Sequence, residues 1–434
     1  MVQSRWRLRV PRVVFILLLA LVITAGWTGP TAYAQPPLQL AAKSAILVEA
    51  ETGKILYKYN ENLPLPPASM TKMMTEYLVL EAIKQGKISW EDRVTTDEYG
   101  YWMGRHGGSR VFLNLGEVRT VRELYTAMAV YSANDATVML ARHVAGSEAA
   151  FVEQMNKKAK ALGMTHTHFV TSTGFPLKDI PAQFRPPGNG DNQMSARDAA
   201  ILARRLLMDY PEVLEFSSIP KAVFREGEAN PIQMANWNWM LPGLVAQYPG
   251  VDGLKTGHTE QAGYCFTGTA QRDGMRLISV VMGTSSELAR FQETAKLFDY
   301  GFSQFEVKTL FKGKEPVKGY ETVPVTKGVD LEVPVVPERD VVAVVRKGDE
   351  SAPSPRVSVA EVVAPVKQGQ AVGTIKAVAA SGGDEYLTPE AGAVKLIAQE
   401  DVEEAGWLRL FFRSVKNALA GLFSSIVEAV TGAF

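Results

Sequence analysis

Cysteine is almost missing from this chain of 434 residues: Cys265 stands alone, so no intramolecular disulfide can form. It lies in Gly263-Tyr264-Cys265-Phe266, which reads as a buried strand and makes it a structural thiol. An excess of either charge is also missing, with 46 lysines and arginines against 46 aspartates and glutamates. The chain therefore lacks the basic balance of a nucleic-acid-binding protein. Histidine is scarce, with five residues in all. The close pair His166 and His168 has no carboxylate cluster or third ligand at the usual spacing, so neither a metal nor another cofactor is expected. The apolar run over 13–23 falls short of the about 18–20 residues that a membrane span needs, and there is no internal repeat.

What is present begins with an N-terminal address. Arg5, Arg7, Arg9 and Arg12 precede that apolar run, which leads to Ala32-Tyr33-Ala34. A basic region, a short apolar region and an Ala-x-Ala site make residues 1–34 a secretory signal peptide, cleaved after Ala34. Its removal takes away four arginines and no acid, leaving a net charge of −4 from the 46 acidic and 46 basic residues of the full chain.

The rest has three stretches of different character. In 35–304, segments 45–48 and 55–59 read as a hairpin turning at Glu51-Thr52-Gly53-Lys54. Pro64, Pro66 and Pro67 then interrupt the chain. From Ser69, apolar residues at Met70, Met73, Met74, Tyr77, Leu78 and Ala82 keep helical spacing. Further helices are expected over 121–130, 135–144, 195–208 and 287–300. Between 251 and 283 the period falls to two, with Asp273-Gly274 as a tight turn, which gives an antiparallel meander. The fold class is therefore α+β, helices around an antiparallel sheet.

Residues 305–400, rich in Val, Pro, Thr and Gly, read as a separate small all-β domain in which 350–356 is a loop. In 401–434, Trp407, Leu408, Phe411, Val415, Leu419, Leu422, Ile426 and Val430 fall on one helical stripe. Arg409, Arg413, Lys416, Ser424 and Glu428 fall on the other face. In an exported protein this pattern points to an amphipathic helix lying in a membrane surface. Packing on the β-domain, or against another copy, is the alternative.

Three short strings carry the chemistry: Ser69-Met70-Thr71-Lys72, Ser132-Ala133-Asn134 and Lys255-Thr256-Gly257. Each alone is weak. Ser-x-x-Lys recurs as Ser218-Ile219-Pro220-Lys221, where Pro220 rules out the helix the pair needs. The ordered triple, with fitting secondary structure around each member, is much harder to reach by chance. A serine at a helix start has its backbone N–H among donors that can stabilise an oxyanion. Lys72, one turn on, reaches the Ser69 hydroxyl. It serves as a base only if burial and a second cation lower its pKa, and Lys255 is the candidate cation. Ser132 can pass a proton to a leaving amine, and Asn134 can hold a substrate amide. The strand at 255–257 offers an edge to an extended peptide. Gly257 has no side chain to obstruct that approach, and the His258 backbone N–H is a candidate second oxyanion donor. The set predicts a serine acyl-enzyme.

These strings are the signature set of penicillin-binding proteins and serine β-lactamases. Beyond them, most of the chain past residue 34 resembles the low-molecular-mass penicillin-binding proteins that are serine-type D-alanyl-D-alanine carboxypeptidases, peptidase family S11. Pro66-Pro67-Ala68-Ser69-Met70-Thr71-Lys72-Met73-Met74-Thr75 is similar to that family's nucleophile segment. Lys255-Thr256-Gly257-His258-Thr259 with Ala262-Gly263-Tyr264-Cys265 is similar to its substrate strand, and the β-domain and amphipathic tail also fit.

The resemblance implies Ser69 as the acylated nucleophile, Lys72 as proton acceptor, Ser132 and Asn134 as relay and substrate contact, and Lys255 as substrate contact beside Thr256, Gly257 and His258. It further implies that Arg290, with Arg276 as competitor, binds the terminal D-Ala carboxylate. The implied substrate is the peptidoglycan stem peptide, with β-lactams as covalent inhibitors, and the implied place is the outer face of the bacterial cytoplasmic membrane. Where relatives often have a histidine before the Ser-x-Arg-Asp helix, this chain has Asn192-Gln193-Met194-Ser195. Competing readings are a β-lactamase, for which no glutamate is assignable as deacylating base, and a DD-endopeptidase, which shares every catalytic part. A non-catalytic peptidoglycan-binding scaffold is opposed by intact Ser69, Lys72 and Lys255.

Overall fold

The computed structural model describes residues 38–431 apart from 107, 350–351 and 379–382, with side chains as far as residue 419. The signal peptide expected at 1–34 lies outside the described residues. The expected hairpin is present as β1 (Ser44–Glu49) and β2 (Ile55–Tyr59). A 3-10 turn at Ala68–Thr71 leads into α1 (Lys72–Lys84). Next come β3 (Arg93–Thr95), α2 (Glu98–His106) and β4 (Val118–Thr120). Four helices follow: α3 (Val121–Tyr131), α4 (Asn134–Ala145), α5 (Glu148–Ala161) and α6 (Ala196–Asp209). Their starts are chemically marked. Thr120 and Glu123 close a reciprocal capping box on α3, and the side chains of Ser147 and Ser195 cap α5 and α6.

A short helix α7 (Val213–Ser217) and a hairpin of β5 (Lys221–Phe224) and β6 (Ile232–Ala235) precede the expected meander. The meander is β7 (Val251–Thr259), β8 (Gly263–Arg272) and β9 (Met275–Thr284), followed by α8 (Glu287–Gln304). The strands assemble in the order β2-β1-β9-β8-β7, antiparallel throughout. Every residue of β1 is buried because both sheet faces are covered. Ile46 and Val48 join the helical core with Met73 and Met74, while Leu47 and Leu277 face Gly301 of α8 on the other side. β7 is an edge strand of this sheet.

The β-domain continues without a break from α8. Its strands are β10 (Phe305–Phe311), β11 (Thr322–Thr326), β12 (Glu332–Pro337), β13 (Val341–Arg346), β14 (Ser354–Val359), β15 (Val362–Val363), β16 (Ala371–Val378) and β17 (Val394–Ala398). Valines at alternate positions, such as Val323 and Val325 or Val333 and Val335, build its own core. One expectation is corrected. Ser354, Pro355 and Arg356 belong to strand β14, paired with Val378, Ala377 and Lys376, and not to a loop.

A segment of the β-domain at 384–391 reaches back to the catalytic sheet as a strap. Ile55 N–H donates to the Glu385 carbonyl at 2.8 Å and Leu387 N–H to the Gly53 carbonyl at 2.9 Å. Lys54 pairs with Asp384 at 2.6 Å, and Glu385 meets both Lys58 and Arg197. Leu387, 5% exposed, belongs to the catalytic core. Its burial contributes about 1.5–3 kcal/mol, against roughly 0–1 kcal/mol for the exposed Lys58–Glu385 pair.

The tail forms α9 (Trp407–Thr431). Trp407, Leu408, Phe411, Phe412, Val415 and Leu419 are exposed on it, which does not fit a stripe packed on the β-domain. Leu422, Ile426 and Val430 have side chains outside the described residues. Arg413 is a second correction. Its guanidinium donates to the carbonyls of Gly328 and Val329 at 2.6 and 2.7 Å, so it faces the β-domain and not the solvent.

Candidate active site

Ser69 sits in the 3-10 turn, and Lys72 is the first residue of α1. The three-residue spacing brings the Lys72 Nζ within 3.0 Å of the Ser69 Oγ. Ala68 holds a left-handed backbone at φ 48 beside them, a conformation costing an alanine about 1–2 kcal/mol. Two glycines let neighbours close on this turn. A Cβ at Gly174, itself at φ +78, would stand 1.9 Å from the Ala68 carbonyl oxygen, and one at Gly257 would stand 2.3 Å from the Pro67 carbonyl oxygen.

That corrects the reason expected for Gly257. It clears room for the serine turn behind β7. Gly257→Ala should therefore push the turn off the strand and cut acylation by a β-lactam at least about tenfold. Stopped-flow acylation of the two proteins checks this, and an unchanged rate would show that the strand gives way instead.

Lys72 is 0% exposed. Besides Ser69 its amine contacts the Asn134 Oδ1 at 2.6 Å and the Thr173 carbonyl at 2.9 Å. Burial, the largest cause, and then Lys255 push its pKa well below the ordinary lysine value, against the attraction of Glu76 and Asp135. A neutral amine has two N–H groups and one lone pair. Asn134 Oδ1 and the Thr173 carbonyl can only accept, so they claim the two N–H groups. The lone pair is left for the Ser69 hydroxyl, which can donate along the same 3.0 Å contact. This geometry can take the proton from Ser69.

Ser132 occupies the turn between α3 and α4 at φ 59, and its buried Oγ has no hydrogen-bond partner among the described residues. Asn134 opens α4 and spends its Oδ1 on Lys72, a duty beyond the substrate contact expected for it. Asp135 accepts from the N–H groups of Val111 and Leu113, each at 3.1 Å, and so fixes the loop beside the site.

Lys255 is 2% exposed, and burial lowers its pKa to about 8 against the attraction of Glu76. His258 lies two residues beyond Thr256 on β7, its ring stacked on Tyr264 at 4.1 Å. Arg290, one turn into α8, is also 2% exposed. It reaches Glu287 at 3.2 Å and the Gly257 carbonyl at 3.5 Å, and its buried Nε has no partner among the described residues. Arg276 instead makes two 2.8 Å contacts with Asp252.

One cavity of about 690 Å3 gathers Ser69, Ser132, Asn134, Thr256, Gly257, His258 and Arg290 in its wall. Arg276 is not part of that wall, and Lys72 and Lys255 lie behind it. No group of three or more His, Cys, Asp or Glu is placed to hold a metal among the described residues.

Three supporting residues escaped sequence reasoning. Thr173 offers only its backbone to Lys72. Glu148 accepts from Ser172 N–H at 2.8 Å and Ser172 Oγ at 2.6 Å, holding the loop that carries Thr173. Asn192 accepts from Val170 and Thr171 N–H and donates to Thr71 Oγ1 at 2.9 Å, which ties the same loop to the serine turn. Its signal was the departure at Asn192-Gln193-Met194-Ser195, whose purpose only the fold reveals.

Comparison with known proteins agrees in two segments. The family model for D-alanyl-D-alanine carboxypeptidase matches residues 30–286, and that for the penicillin-binding protein 5 C-terminal domain matches 305–404. The D-alanyl-D-alanine carboxypeptidase DacF of Bacillus subtilis is 36% identical over 376 residues, 86% of this chain and 89% of that protein. Among solved structures, a peptidoglycan synthesis regulatory factor (PBP3) from Streptococcus pneumoniae superposes with a TM-score of 0.73 at 34% identity, covering 84% of this chain and 100% of the other. Penicillin-binding protein D2 of Listeria monocytogenes, in its ampicillin-bound form, gives a TM-score of 0.53 at 34% identity over 62% of this chain and 100% of its own. The serine turn, the paired lysines and the edge strand thus sit in a chain that belongs to the D-alanyl-D-alanine carboxypeptidases of peptidase family S11.

Proposed function

We propose that the protein removes the C-terminal D-alanine from peptidoglycan pentapeptide stems through an acyl-enzyme on Ser69. The observation that carries this reading is the pair of acceptors on Lys72, Asn134 Oδ1 and the Thr173 carbonyl, which leaves its lone pair for the serine hydroxyl 3.0 Å away. The stem peptide lies extended along β7, its terminal carboxylate against Arg290. Lys72 takes the hydroxyl proton as the Ser69 Oγ bonds to the carbonyl carbon of the penultimate D-alanine. Backbone N–H groups of Ser69 and His258 meet the oxyanion. As the C–N bond breaks, the leaving amine takes a proton through the Ser132 Oγ. Water then adds to the ester, the tetrapeptide leaves as the acid, and Ser69 regains its proton. A β-lactam enters the same first step, but its opened ring stays attached.

We further infer export, with α9 holding the protein on the outer face of the cytoplasmic membrane. Exposed Trp407, Phe411, Phe412 and Leu419 support this, and no helix among the described residues is long and apolar enough to cross a membrane. With Arg413 committed to the β-domain, Arg409 and Lys416 remain for anionic head groups.

One experiment tests both inferences. Val402 pairs with Val366 and Ala405 N–H bonds Lys327, so a clean truncation falls after Gly406. The full-length and truncated proteins are incubated with a D-Ala-D-Ala pentapeptide, and released D-alanine and membrane partition are measured. Both should release D-alanine at similar rates, while only the full-length protein sediments with vesicles containing anionic lipid. No release by either overturns the activity, and a truncated protein that still sediments overturns the anchor.

A further inference from the structure

The mechanism so far leaves one buried charge without a task. Glu76 lies one turn beyond Lys72 on α1, so both side chains share a helix face. It is 2% exposed, as is Lys255 on β7, which packs against that helix. Resting on the reading of Ser69 and Lys72 above, we propose that Glu76 is a positioning residue for the acyl transfer. Its carboxylate holds Lys255 as an ammonium beside a neutral Lys72, so the buried trio carries no net charge.

The physical argument is one of charge balance. Two ammonium groups buried side by side repel each other, and each loses several kcal/mol of hydration. One ammonium beside one carboxylate still loses hydration, but attraction replaces the repulsion and offsets part of that loss. The pairing is uneven in the useful direction. Among the charges acting on Lys255, Glu76 is the strongest; among those acting on Lys72, Lys255 outranks Glu76. Glu76 itself feels Lys255 more than Lys72, through space in both cases, and burial keeps its pKa raised to about 7.

The remaining groups around the trio are occupied or neutral. The Tyr125 hydroxyl on α3 is held protonated by burial, with the charge of Glu76 adding to the effect. Asp135 on α4 acts on Lys72 but is bonded to the backbone of Val111 and Leu113. Glu148, at the start of α5, is committed to Ser172 and Tyr99, and Asp198 on α6 to His166 and Thr167. Arg290 reaches the trio only through Lys255, and Glu212 only through Tyr125.

The consequence is a direction on the pH axis. Acylation needs Lys72 neutral, which sets the acid limb of its pH profile, and Lys255 charged, which sets the alkaline limb. Glu76 raises the pKa of both amines. Removing its charge lowers both, so both limbs move toward acid by about one pH unit.

The test is the second-order rate of acylation by a fluorescent penicillin across pH 5–10 for the parent, Glu76→Gln and Glu76→Asp. The glutamine variant should show the displaced bell, and the aspartate variant should keep the parent's limbs. A glutamine profile that falls in height with its limbs in place, or that matches the parent, overturns the proposal, and so does an aspartate profile displaced like the glutamine one. If Glu76→Gln loses its melting transition, Glu76→Leu replaces it under the same criteria. A parent protein that is not acylated at any pH would instead overturn the Ser69 mechanism, which keeps the two failures apart.

Discussion

Ser69→Ala protein should take up no β-lactam and release no D-alanine, yet melt within a few degrees of the parent. The Ser69 Oγ has one hydrogen bond, to Lys72, which keeps two other partners. Its loss should change stability by only about 1 kcal/mol. The covalent function should vanish altogether, because among the described residues the other serines of the cavity wall, Ser109 and Ser132, have no hydrogen bond to a lysine amine. Cys265 is fully buried, and burial pushes its thiol up to about 11. Mass spectrometry of penicillin-treated protein gives the reading. The parent should gain one β-lactam mass on the peptide containing Ser69, and the variant none. Label persisting on the variant would assign the chemistry elsewhere.

Lys72→Arg should put a permanent cation where the parent has a neutral amine and lose acylation by about 10²–10⁴-fold, the usual contribution of a positioned base. An arginine stays protonated under these conditions and has no lone pair to offer. Its larger head must also fit where an amine now meets three oxygens within 3.0 Å. The pH dependence separates the two reasons. In the parent, a Lys72 whose pKa is lowered is neutral above that lowered pKa, so acylation should fall as the pH drops through it. A base-free variant should have lost that acid limb, whereas a variant with only a steric fault would keep it at reduced height. An arginine enzyme of parental rate would end the general-base role.

The parts of this site legible in sequence are those whose geometry is local. Ser69 and Lys72 are three residues apart, and no long-range contact is needed to bring them together. The meander at β7, β8 and β9 was legible because its period is two and Asp273-Gly274 marks a turn. The helix α5 was not foreseen, although Phe151, Val152, Met155 and Ala159 keep helical spacing across Glu153, Gln154, Lys157 and Lys158. Thr173 and Asn192 were beyond reach for another reason. Their partners lie 101 and 121 residues away, and one of them acts through its backbone alone. Gly257 shows the subtlest miss, since the need for glycine was visible while the object it avoids, the Pro67 carbonyl, was not.

The central sheet has two ends, and the chain treats them oppositely. At β2, the segment 384–391 lies along the start of the strand, with two backbone hydrogen bonds and a buried leucine to hold it. At β7, no further strand among the described residues joins the sheet. An uncovered edge is normally a hazard, since any extended chain can add to it and seed aggregation. Here that hazard sits at the wall of the cleft of about 690 Å3 that holds Ser69. Weakening the strap, for example with Leu387→Asp, would therefore expose the wrong end, and its first symptom should be self-association rather than lost catalysis.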